Sequence, residues 1–101
     1  MKTIWKFPFH ISDYVALEMP RGAQILPHVE AAGQTALVVW AKVDTNQPTE
    51  TMTLAVVGTG NALPAFSDHG TYIGTALAGP FVWHVFQPAM LLDEDTEREA
   101  S

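Results

Sequence analysis

Val57-Gly58-Thr59-Gly60-Asn61 is the stretch whose residue types come closest to a ligand-binding element. Two glycines one residue apart let the backbone turn sharply and present its N–H groups, an arrangement that can cradle an anion. The stretch follows an apolar run, as phosphate loops do. It lacks the Lys-Ser/Thr pair, or the third glycine opening a helix, that such loops use. A bulge or tight turn requiring positive φ is the simpler reading. Asn61 to Gly70 then carries no regular pattern, and so long a connection in a small domain is a candidate functional loop. Tyr72 beyond it and Trp40 in the first half offer aromatic faces on which a base can stack. The expected ligand site is therefore Gly58, Thr59, Gly60 and Asn61 with Tyr72 or Trp40.

Other reactive residue types give less. His10, His28, His69 and His84 raise the question of metal binding, but no pair has the i, i+2 or i, i+4 spacing of a common local ligand set. Asp68 is the only acidic residue adjacent in sequence to a histidine. Asp68-His69 has the types of an acid–base pair, yet neighbours in a loop rarely face one another. Ser67 lacks the Gly-x-Ser-x-Gly elbow of a hydrolase nucleophile. With no cysteine, a disulfide framework, a thiolate nucleophile and a Cys-type zinc site are excluded. No catalytic residue, metal or cofactor is assigned, and the expectation is a protein that is not an enzyme.

The elements that must position these residues are strands. Thr71 to Phe86 reads as two arms folded back through Ala78-Gly79-Pro80. On the second arm Phe81, Trp83 and Val85 point one way and Val82, His84 and Phe86 the other. Neither set is charged, which fits a central strand or a subunit contact, with Trp83 buried. Trp5, Phe7, Phe9 and Ile11 alternate with Lys6, Pro8 and His10 in a first strand, which lies at an edge or has Pro8 at an outward-facing, unpaired position. Val15, Leu17 and Met19 mark a second, which could close a hairpin with the first across Ser12-Asp13. Ala23 to Glu30 is a strand interrupted at Pro27. Thr35 to Val43 turns Leu37, Val39, Ala41 and Val43 to one side, and Glu50 to Val57 follows a polar loop. About seven short strands with regular turn signals make an all-β fold, a compact small sandwich or barrel.

Its 101 residues suffice for one domain and one core. The β domain is expected over residues 1–88, with 89–101 an acidic tail, disordered or a short helix. The tail sets Asp93, Glu94, Asp95, Glu97 and Glu99 against Arg98, so it supplies −4 of the net charge of −6. Four cations precede it, too few for the multi-phosphate footprint of a polynucleotide. Charged residues are only 16% of the chain, against ~25% in ordinary soluble domains. That favours a homo-oligomer, most simply a dimer. The amino terminus lacks a signal-peptide apolar core and no apolar run approaches ~18 residues, so the expected residence is cytoplasmic and not membranous.

Thr3-Ile-Trp-Lys6, Val15-Ala-Leu-Glu-Met-Pro20, Val57-Gly-Thr-Gly60, Tyr72-Ile-Gly-Thr75 and Gly79-Pro-Phe-Val-Trp-His-Val-Phe86 resemble a family of small proteins encoded by phages and prophages. The resemblance spans residues 3–86 and omits the acidic tail; the last fragment is its most specific part. It implies a phage protein acting in the host cytoplasm and carries over no site residue. Two functions are expected from it. One is a non-enzymatic binder that counters host defence by sequestering a small nucleotide-derived signal. The other is an inhibitor that binds a host protein through an apolar edge or through the tail, whose carboxylates would mimic nucleic-acid charge.

Overall fold

Alternating apolar and polar residues produce seven strands: β1 (Lys2–His10), β2 (Tyr14–Pro20), β3 (Gln24–Ala31), β4 (Ala36–Asp44), β5 (Thr49–Gly58), β6 (Thr71–Ala78) and β7 (Phe81–Gln87). The computed structural model describes residues 1–64 and 70–88. Ser67, Asp68, His69 and the acidic tail, residues 89–101, lie outside the described residues. Among the described residues there is no helix, and none long and apolar enough to cross a membrane.

The strands form two antiparallel sheets, a three-stranded one ordered β1-β4-β3 and a four-stranded one ordered β2-β5-β7-β6. They face each other across one core, so the all-β sandwich is the architecture. Leu37, Val39, Ala41 and Val43 of β4 are buried on the inner side, as their alternation requires. Val15, Leu17 and Met19 of β2, Leu54 and Val56 of β5, and Val85 of β7 meet them from the other sheet. Met19, Leu37, Leu54, Val39, Val56 and Val85 are the largest wholly buried side chains.

Pro8 sits on an edge strand, where its missing N–H interrupts little. Two strands carry irregularities: the β3–β4 pairing shifts between Ile25 and Val29, around Pro27, and the β6–β7 pairing shifts between Tyr72 and Gly74. These irregular strands lie side by side at one seam of the sandwich, where Val29 meets Gly74.

The expected β1–β2 hairpin does not form. Ile11 N–H donates to Thr35 O at 3.0 Å, on the β1-β4-β3 side, whereas Val56 N–H donates to Asp13 O at 3.0 Å in the other sheet. Residues 11–13 therefore cross between the sheets, and β1 pairs with β4 while β2 pairs with β5. The β6–β7 hairpin is as expected: Ala78 pairs with Phe81 across Gly79-Pro80, and Gly79 takes φ 60, which a two-residue hairpin turn favours. β7 is an inner strand of its sheet.

Trp83 is a correction. It is only half-buried, with its ring against the core edge, because its two cross-strand neighbours, Gly58 and Ala76, are both small. A glycine offers no side chain to cover an indole, and Phe81 beyond it is 59% exposed.

Candidate functional site

The turn after β5 is built by its own backbone. Asn61 N–H donates to Gly58 O at 3.0 Å, and Thr59 N–H donates to Val82 O at 3.1 Å, which ties the turn to β7. Gly60 has φ 90, a conformation that side chains other than glycine's rarely adopt. Two of the N–H groups that could have cradled an anion are therefore spent inside the fold. Thr59 Oγ1 is spent as well, lying 2.7 Å from His84 Nε2.

Against this turn lies a cavity of about 360 Å³, lined by Gly58, Thr59, Asn61, Pro80, Phe81, Val82 and Trp83. Ligand pockets run from ~300 to 1,000 Å³, so the space suits a single small ring system with its substituents. Phe81 and Trp83 form an aromatic wall, with ring centroids 5.8 Å apart and planes inclined at 56°. No lining residue carries a charge. Trp83 Nε1 is shielded from solvent and has no hydrogen-bond partner among the described residues. A covered donor left unpaired costs ~1–3 kcal/mol, so an acceptor brought to it has something to gain.

The sequence-derived site is thus only partly assembled. Gly58, Thr59, Gly60 and Asn61 share one turn, but neither expected stacking residue stands over it. Trp40 is on the opposite sheet, beside His28 at a centroid distance of 5.6 Å. Tyr72 packs edge-on to Phe86 at 5.4 Å, three pairs along the β6–β7 ladder from Trp83 and on the other face. The aromatics at the turn are Phe81 and Trp83, of which Trp83 was expected in the core. The missed signal was non-local: β5 pairs with β7, which puts Gly58 opposite Trp83.

A second polar group crosses the outer face of the same sheet. Tyr72 Oη bonds Thr75 Oγ1, Thr75 Oγ1 lies 3.0 Å from His84 Nδ1, and His84 Nε2 meets Thr59 Oγ1. Both ring nitrogens of His84 are therefore satisfied within the chain. His28 pairs instead with Glu30, Nε2 to Oε2 at 2.7 Å, on an exposed surface. Among the described residues no three His, Asp or Glu side chains gather as a metal site.

A family model for a domain of unknown function (DUF7352) matches residues 1–93. The chain belongs to this family. The match takes in every strand and both walls of the cavity, so the pocket is built entirely from the DUF7352 domain. No curated protein and no solved structure matches the chain.

Proposed function

We infer that this DUF7352 protein binds, without altering it, the heterocyclic end of a small nucleotide-derived molecule. The observation that carries this reading is the aromatic, uncharged cavity beside Gly58–Asn61, lined by Phe81 and by Trp83, whose Nε1 is covered and has no partner among the described residues. A planar heterocycle stacks on Phe81 or Trp83 and offers ring or carbonyl acceptors to the indole N–H. With no cation in the lining and the Thr59 and Asn61 N–H groups already bonded, phosphates gain little inside. They remain toward solvent, and recognition falls on the ring.

The resemblance to small phage-encoded proteins supplies the setting: a binder of this kind lowers the free concentration of a host nucleotide signal and so blunts a defence response. Binding of this type needs no nucleophile and no cofactor.

The test is to incubate purified protein with candidate signalling nucleotides, remove the protein-bound fraction, and heat-denature it. Recovery of an intact nucleotide that had left the free pool supports sequestration. A chemically altered product makes the protein an enzyme. Absence of depletion, with a host protein that copurifies and is lost on deleting residues 89–101, replaces the binder by the protein-directed inhibitor.

A further inference from the structure

We propose that the outer face of the β5-β7-β6 sheet is a self-association surface, on which a second copy of this chain docks about a two-fold axis.

The face is read from the strand register. Thr59 of the β5 side, Val82, His84 and Phe86 of β7, and Tyr72, Thr75 and Leu77 of β6 share it, over Ala55 and Val57, which are already buried. Leu77 is 68% exposed and Tyr72 51%, with Val82 and Phe86 half-buried between them. From Thr51 onward, no described residue of β5, β6 or β7 is Asp, Glu, Lys or Arg. On the β2 side of the sheet Glu18 is engaged by Thr51 Oγ1 at 2.6 Å. The other sheet is the opposite case: Lys2, Lys6, Glu30, Lys42 and Asp44 all come from its strands.

The missing charge identifies the occupant. In a two-fold contact the same patch faces itself, so any charge near the axis meets a like charge. A heterologous partner is normally selected by complementary charges or unsatisfied donors, and this face presents neither. Its polar groups are spent internally, since His84 is bonded at both nitrogens by Thr59 and Thr75, and Tyr72 Oη is bonded to Thr75. Burying them against an apolar mate orphans no hydrogen bond. Among the described residues of β5 from Thr51 onward, β6 and β7, two copies of a chain of net charge −6 meet without opposing ionised side chains. Three strands at ~4.8 Å spacing make a small patch beside the ~800 Å² per partner of standard interfaces, so association is reversible and concentration-dependent.

Sedimentation or light scattering over a concentration series tests this with the full chain and two variants. The expected result is a mass that rises from 11.0 kDa toward twice that value for the native chain. Leu77→Glu should hold it at 11.0 kDa with an unchanged circular-dichroism melt, since Leu77 is largely in solvent. Ile4→Glu, at an exposed position on β1 in the other sheet, should associate as the native chain does. A native chain that stays monomeric to its solubility limit overturns the proposal. So does association abolished by Ile4→Glu and untouched by Leu77→Glu, or a monomer from which Leu77→Glu strips a copurifying host protein.

Discussion

Gly74 of β6 lies so close to Val29 of β3 that a β-carbon on it would stand 3.1 Å from Val29 Cγ2 and 3.3 Å from Val29 N. This contact closes one seam of the sandwich, where the two irregular strands meet, and a side chain at 74 would require Val29 to give way by a few tenths of an ångström. Gly74→Ala gains ~0.4–1 kcal/mol by restricting the unfolded chain. The enforced shift at Val29, part of it borne by backbone, costs ~1–3 kcal/mol, as overpacking does, and wins. The expected outcome is a net loss of stability in denaturant titration. Combining Gly74→Ala with Val29→Ala should cost less than the two changes summed, because removing Cγ2 relieves part of the clash.

Leu54 and Trp83 should separate core from site. Leu54 is wholly buried, and Leu54→Ala should cost ~2–5 kcal/mol of unfolding free energy. Trp83→Phe removes the covered, unpaired Nε1 along with some ring volume, so the relief of one offsets the cavity left by the other. Its melting temperature should stay near that of the native chain while nucleotide retention falls. A Trp83→Phe protein destabilised as much as Leu54→Ala would mean the indole serves the core alone.

Asp44 sets an acid-side dependence. Asn46 N–H donates to its Oδ1 at 3.0 Å, and the Met1 amino group lies 3.6 Å from the same oxygen. These hold its carboxyl below the usual carboxylate range, against a smaller opposing effect of desolvation. A carboxyl with a depressed folded pKa stabilises above its unfolded value, and that stability is lost as pH falls through the folded value. Asp44→Asn should therefore be less stable than the native chain near neutral pH, with the two curves converging in strong acid. Denaturant midpoints across a pH series check this. The effect is small, because the group is at the surface.

Local pattern carried much of the fold. The period-two alternation of Leu37, Val39, Ala41 and Val43 required a half-buried strand, and Gly79-Pro80 between two apolar arms required a hairpin. Pairings between distant segments had no such signal. Ser12-Asp13 reads as a hairpin turn, yet its flanking backbone groups bond to two different sheets. The same limit hid the pocket wall. Gly58 and Trp83 are 25 residues apart and meet only because β7 inserts between β5 and β6. Trp40 and Tyr72 were equally good stacking residues by type, and only the sheet assignment removes Trp40 from the turn.

The indole N–H resonance of Trp83 tests the binding site most directly. Trp5, Trp40 and Trp83 give three indole cross-peaks in a proton–nitrogen spectrum, and Trp83→Phe identifies the one that matters. Titration with a panel of nucleosides and mononucleotides should move the Trp83 peak downfield as its donor gains an acceptor, with nucleoside and nucleotide acting alike if the ring is what is recognised. The Trp5 and Trp40 peaks should stay in place. A nucleotide that is retained by the protein while the Trp83 peak does not move, or that moves Trp40 instead, would contradict the pocket beside Gly58–Asn61 as its site.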